Sequence, residues 1–257
     1  MNSTLNLLRH AFGLVTTHPA KTVKVIAPAI LMMGGVGLLT AALAPELLAI
    51  NPSKPDLTSI TSVNLALVLL TTFILSYALM AILWHRHTLG PTHAPRPMSA
   101  PLILGYLWRV IVLAIIQLVV GLVLVLPLIA AGQEGETAAN PSTFSMLLTT
   151  FLTQLLLVWL SLRLSLILPA AALGRAITMR HSWQRTQSVS RMLWGVAAAL
   201  AFINTTFAAL IALVSPSTPE HMLALELPIY IIEGLLIFSV LTTLYARQIQ
   251  QGETGTP

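Results

Sequence analysis

Few side chains in this sequence are equipped for chemistry, and they fall into three groups. His85, His87 and His93 form the one histidine cluster. A zinc or nickel site needs three or four ligands converging on a point. These three have no carboxylate or cysteine beside them, and His85 and His87 face different ways if the preceding helix continues. They read as part of a solvated loop. The second group, Gln117, Gln154, Asn204 and Glu233, consists of polar residues embedded in apolar runs. A charge in hydrocarbon costs a few kcal/mol on insertion scales and persists where a partner or a wet cavity receives it. These four are therefore expected to meet as an intramembrane cluster, with Glu233 protonated or hydrogen-bonded to an amide. Such a cluster has a structural reading, interhelical hydrogen bonds of about 1 kcal/mol each, and a functional one, a substrate or proton path. The third group is the row Arg163, Arg175, Arg180, Arg185 and Arg191. These are candidate contacts to anionic phospholipid, at about 1 kcal/mol per charge near the surface, and equally signals of topology. Arg163, at the end of an apolar run, is expected to snorkel to the headgroups.

Catalysis finds no foothold. A metal-assisted hydrolase needs clustered carboxylates and histidines, whereas the eight acids here are scattered. No nucleophile elbow surrounds a serine and no glycine loop is built to cradle phosphate. With no cysteine, thiolate metal sites, cysteine nucleophiles and disulfides are excluded. No catalytic, metal-binding or cofactor-binding residue is assigned, no cofactor is expected, and the chain is read as not an enzyme.

The elements that position these groups follow from composition. Of the 257 residues, 56% are hydrophobic and 8% charged, and mean hydropathy is +0.86; a soluble domain is about a quarter charged. The fold class is all-α, a polytopic membrane helical bundle. Apolar runs of bilayer-spanning length predict six transmembrane helices, near residues 23–44, 63–84, 106–130, 146–168, 193–214 and 227–245, within one membrane domain over 1–247 and a polar tail over 248–257. Pro169 and Gly174 are expected to extend span four as a kinked tail. Gly34, Gly35 and Gly37 in span one are expected to admit a close neighbour. Ala42-Leu43-Ala44 resembles a signal-peptidase triplet, but the long polar lead-in, the long apolar run and Pro45 predict an uncleaved first span.

Two interfacial amphipathic helices complete the expectation. The N-terminal one places Leu5, Leu8, Phe12 and Val15 on one face and Asn6, Arg9, His10 and Thr16 on the other. The one before span five sets Ile177, Trp183 and Val189 against Arg180, Gln184 and Arg185. With this threading, Lys54 alone of the 13 lysines and arginines falls on the far side. The positive-inside rule then puts both termini in the cytoplasm. Trp84, Trp108, Trp183 and Trp194 lie at the same boundary and are expected to form an aromatic belt there. The net charge of +5 reflects these loops and not a nucleic-acid surface. Arg9-His10-Ala11-Phe12 resembles Arg180-His181-Ser182-Trp183, and Leu83-Trp84-His85-Arg86 resembles Leu244-Tyr245-Ala246-Arg247. This fits either an internal repeat about an axis along the membrane normal or the general preference of interfaces for arginine and aromatics.

Trp84-His85-Arg86, Arg163-Leu164-Ser165 with Pro169-Ala170-Ala171, and Ser182-Trp183 with Thr186 before Trp194 together resemble a family of bacterial integral membrane proteins. The family is similar to the membrane domain that precedes the catalytic domain in some glycerophosphoryl diester phosphodiesterases, and also occurs alone. The resemblance implies a multi-span helical domain of the bacterial inner membrane. It implies no hydrolase activity, which belongs to a separate soluble domain. The expected partners are the phospholipid bilayer and either another membrane protein or a second copy of the chain. The expected role is non-catalytic organisation of lipid or of a partner; the alternative is a small transporter or transporter subunit with a polar cavity around Glu233.

Overall fold

A computed structural model describes residues 4–48, 62–93, 96–133, 143–175, 177–214 and 219–253. Among the described residues there are nine α-helices, one 3-10 turn and no strand. They are α1 (Thr4–Thr16), α2 (Pro19–Leu43), the turn Pro45–Leu47, α3 (Val63–His93), α4 (Ala100–Gln133), α5 (Thr143–Leu164), α6 (Ile167–Ala172), α7 (Met179–Arg185), α8 (Ser190–Val214) and α9 (Pro219–Glu253). Six of them, α2, α3, α4, α5, α8 and α9, are long and apolar enough to cross a membrane. The connections around Lys54 and around Glu134 and Glu136, on which the expected topology partly rests, lie outside the described residues.

α9 is the central element and α4 the peripheral one: half of the apolar window of α9 is buried (50%) against 6% for α4. α2 packs along α3, α5 along α8, and α9 against both α1 and α3. The two end units of the suggested repeat are thus paired differently, α2 with its own neighbour α3 but α8 chiefly with α5. In lipid the hydrophobic effect does not drive helices together, so close packing and hydrogen bonds must do it. Glycines mark where this happens. A Cβ on Gly195 would sit 2.6 Å from Thr4 Oγ1, and one on Gly234 would sit 2.5 Å from the Tyr77 hydroxyl. These are the contacts of α8 with α1 and of α9 with α3. Gly34 and Gly35 do not play this part, since a Cβ on either would meet nothing within 4 Å.

Span four ends sooner than its hydropathy suggests. Pro169 has no N–H to give the Ser165 carbonyl, and its ring would crowd that carbonyl. The last regular bond of α5 in this stretch runs from Ser165 N to Ser161 O at 2.8 Å, and Leu168 N then turns back to Ser165 O at 3.0 Å. The expected kinked tail is a separate helix, α6, with Pro169 in its first turn, where proline is tolerated. All six of its residues are buried, among α3, α4 and α9. It closes on Gly174, whose φ of 78° is left-handed. Gly174 N bonds Ala171 O at 2.9 Å and Arg175 N bonds Ala170 O at 2.8 Å, the paired bonds of a Schellman stop.

Several other expectations are corrected. α3 runs on through His85 and His87 to His93, so these residues belong to a helix and not to a solvated loop; Leu89, fully packed in the core, holds that extension in place. α9 continues to Glu253, with Gln248 buried, where a polar tail from 248 was expected. α1 keeps the Leu5 and Phe12 face exposed, and it also packs Leu7 and Ala11, which the sequence reading did not single out, into the core. The helix before span five is short, and Ile177 and Val189 fall beyond its ends.

The Gly174 stop yields a direct test. A Cβ at that position would stand 2.8 Å from Arg96 Cδ and 3.0 Å from Arg96 Cβ, on a backbone that L-residues adopt at a cost of about 1–2 kcal/mol. Gly174→Ala is expected to destabilise the purified protein by about 2 kcal/mol or more, read as a lower unfolding temperature in detergent, whereas Gly34→Ala should leave it unchanged.

Candidate functional site

At the arginine-bearing end of the bundle many buried polar groups answer one another, while Arg163 Nε and Trp159 Nε1 are buried with no partner among the described residues. Arg163, in the last turn of α5, is 4% exposed, so it does not snorkel to headgroups as expected. Its guanidinium stacks over Trp183, with Cζ 3.9 Å from the ring centre, and lies 5.6 Å from the Trp159 ring. One terminal nitrogen donates to Ser190 Oγ at 3.0 Å and the other to the Trp183 carbonyl at 3.0 Å. The Arg163 carbonyl in turn accepts from Ser182 Oγ at 2.7 Å. Trp159 stacks on Trp194 at 4.7 Å and meets Trp183 edge-on at 5.8 Å. α5, α7 and the start of α8 are therefore clasped around one cation that has no carboxylate beside it among the described residues.

A second arginine performs a related task. Arg86 of α3 donates from one nitrogen to Ala172 O at 3.0 Å and from another to Arg96 O at 2.7 Å, while Arg96 N bonds Leu173 O at 3.2 Å. These bonds satisfy carbonyls at the buried C-terminus of α6, which would otherwise be orphaned in a dry setting. Arg86 is thus a cap for α6.

α3 and α9 are joined by two further ties. Trp84 Nε1 donates to Ser239 Oγ at 2.9 Å, and His85 Nδ1 lies 2.8 Å from Thr242 Oγ1. Thr242 spends its own proton on Phe238 O at 2.7 Å, so His85 Nδ1 is the donor and Nε2 carries the lone pair. Nε2 is buried with no partner among the described residues. Trp84, 1% exposed, leaves the expected aromatic belt, and Trp108 alone of the four is largely exposed, at 65%. His85 faces α9 and His87 faces α1, and no group of three His, Cys, Asp or Glu suited to a metal ion occurs among the described residues.

Of the expected intramembrane cluster, two members meet. With its amide oriented so that the NH2 faces the carboxylate, Asn204 of α8 donates to Glu233 Oε1 of α9 at 3.2 Å and to Leu200 O at 3.2 Å. The apolar stretch of α9 begins at Ala224, which puts Glu233 roughly 14 Å along it at ~1.5 Å per residue. Gln117 on α4 and Gln154 on α5 are half-buried and are not joined to this pair. Among the candidate lipid contacts, Arg175, Arg180 and Arg191 are exposed and Arg185 is half-buried, so four of the five remain at the surface.

Sequence reasoning missed the other end of the molecule. There a cavity of about 490 Å³ lies between α2, α3, the turn Pro45–Leu47 and the start of α9. Met33, Val36, Leu69 and Phe73 form much of its wall; Glu226 and Tyr230 are the polar groups that α9 contributes. Val63, Leu67 and Leu70 line it and are also more than half exposed on the outer surface, so it is a lateral fissure between helices and not a closed void. Ala66, with its small side chain, and Gly37 are also in its wall, and small residues in a span equally signal ordinary helix packing.

Compared with family models, with characterised proteins and with solved structures, the chain matches none. Class therefore rests on the six long apolar helices, which support a multi-pass membrane protein.

The Asn204–Glu233 contact predicts an asymmetric pair of substitutions. Glu233→Gln retains an oxygen that Asn204 reaches and is expected to be nearly neutral, while Asn204→Leu strands the carboxyl group and is expected to cost about 1 kcal/mol. Unfolding of both variants in detergent checks this.

Proposed function

We propose that this chain is a non-catalytic, multi-pass protein of the bacterial inner membrane that holds and organises lipid. The observation that carries the reading is the lateral fissure between α2, α3 and α9. Its wall is almost wholly apolar, and its volume lies in the range that binds a small ligand. An acyl chain suits such a wall, and a hydrated solute does not, because the wall offers few partners for the polar groups it would strip of water. Glu226 and Tyr230 would stand near the polar end of the bound lipid. Both termini are cytoplasmic in this reading, supported by the one-sided placement of arginine and lysine. α1 and α7 would then lie at the inner interface, with exposed Arg175, Arg180 and Arg191 beside anionic headgroups. Another membrane protein or a second copy of the chain remains an additional partner under the same proposal.

The resemblance to the membrane domain of glycerophosphoryl diester phosphodiesterases is part of it. Among the residues that carry that resemblance, the side chains of Trp84, His85, Arg86, Arg163, Ser182 and Thr186 make bonds within and between helices. This supports a family defined by how its bundle is tied together. The alternative, a small transporter, draws on one specific observation, the half-buried Asn204–Glu233 pair between α8 and α9. It would require a polar route leading to that pair.

The two readings part on what the purified protein retains. Mass spectrometry of the detergent-extracted protein is expected to find bound phospholipid, and Ala66→Trp, which fills the fissure, is expected to lose most of it while Asn204→Leu retains it. Equal lipid retention by Ala66→Trp and the unaltered protein would count against the proposal.

A further inference from the structure

We infer that the cleft between α1, the start of α2 and the end of α3 binds the phosphate of an anionic lipid headgroup. This inference rests on the membrane reading above, but uses residues that neither the fissure nor the exposed arginine row involves. The cleft has a volume of about 660 Å³ and is lined by Arg9, His10, His18, Lys21 and His87, with no carboxylate in its wall. Its cationic and imidazole groups come from three separate elements: Arg9 and His10 from α1, His18 and Lys21 from the corner into α2, and His87 from α3. A topology signal requires only that basic residues lie on one side of the membrane. It does not require them to converge on one concavity from helices distant in sequence.

The chemistry favours an anion with several acceptor oxygens. Arg9 and Lys21 supply full positive charge, and each imidazole carries at least one N–H donor. The hydroxyls in the wall do not compete for that donor role. Thr17 Oγ1 donates to Gly13 O at 2.6 Å, Thr22 Oγ1 to Val15 O at 3.1 Å, and Thr88 Oγ1 to Trp84 O at 2.8 Å. The Thr22 bond also locks the corner between α1 and α2, so Arg9 and Lys21 project from a fixed frame. A carboxylate ligand would use fewer of these donors than a phosphate, whose oxygens accept from several directions at once.

The neighbouring surface points to a lipid as the source of that phosphate. Leu5 and Phe12, seven residues apart and therefore on one face of α1, are 76% and 59% exposed, and Val23 at the start of α2 is 56% exposed. A soluble phosphate would leave this apolar surface in contact with water. A lipid places its headgroup in the cleft while its neighbours in the bilayer cover Leu5, Phe12 and Val23. Basic pockets between spans on the cytoplasmic side bind headgroups in this way.

The test uses the full-length protein in a neutral detergent, with thermal unfolding followed as dihexanoyl phosphatidylglycerol, dihexanoyl phosphatidylcholine or inorganic phosphate is titrated in. Phosphatidylglycerol is expected to raise the unfolding temperature well beyond phosphatidylcholine at the same concentration. Arg9→Gln with Lys21→Gln is expected to weaken its apparent affinity about tenfold or more, while Arg109→Gln, outside the cleft, preserves it. Equal stabilisation of the double variant and the unaltered protein would overturn the cleft and leave lipid binding elsewhere intact. Stabilisation by inorganic phosphate as strong as that by phosphatidylglycerol would overturn the assignment to lipid, and no stabilisation by any lipid would overturn both the cleft and the lipid-holding role.

Discussion

A buried guanidinium with no counter-ion among the described residues sets the arrangement of one end of this bundle. Arg163 keeps its charge at any physiological pH, and a charge removed from water must be repaid locally or it unfolds its surroundings. Here two aromatic faces, a backbone carbonyl and a serine hydroxyl receive it. Each of those groups has a position to keep. Trp183 brings α7 against α5, Ser190 fixes where α8 begins, and Ser182 returns a bond to the Arg163 carbonyl. Arg86 repeats the logic at α6, where a helix end buried away from water needs donors for its carbonyls. Together these arginines convert what would be loose polar connections into the most firmly specified part of the fold.

The two ends of the molecule differ as a consequence. At the arginine-bearing end, cores drawn from α1 to α6, α8 and α9 are cross-linked by hydrogen bonds. At the other end, among the described residues, Val36, Ala44 and Leu69 form a buried cluster with a few partly buried neighbours, and the fissure opens beside it. Apolar helices in an apolar solvent have little reason to close such a gap unless hydrogen bonds or small-residue contacts draw them together.

Hydropathy made the spans legible, since a run of about 20 apolar residues has few other fates. The interior ties were not legible, because arginine and tryptophan near a span end look the same whether they snorkel outward or turn inward. Arg163 and Trp84 turned inward; Trp108 did not. A signal was available in the hydroxyls: Ser239, Thr242 and Thr243 put a polar stripe on an otherwise apolar α9, and Ser182 and Thr186 stand four apart beside the arginine. Hydroxyls in a span ask for a partner on the next helix, and Trp84 and His85 were the candidates. The intramembrane cluster was half legible. Asn204 and Glu233 occupy facing positions on adjacent helices, whereas Gln117 and Gln154 lie on helices placed by tertiary packing that no local pattern encodes. The break at Ser165 was readable in principle from Pro169 four residues on. The separate helix that follows depends on burial among α3, α4 and α9, which one strand of sequence does not display.

The central claim, that a planar guanidinium and not merely a positive charge clasps α5, α7 and α8, is tested most directly by thermal unfolding of Arg163→Lys in detergent. An ammonium cannot stack on Trp183 while reaching both Ser190 Oγ and the Trp183 carbonyl. The account predicts a loss of about 2 kcal/mol, seen as a fall of several degrees in the unfolding temperature. An unfolding temperature equal to that of the unaltered protein would contradict it.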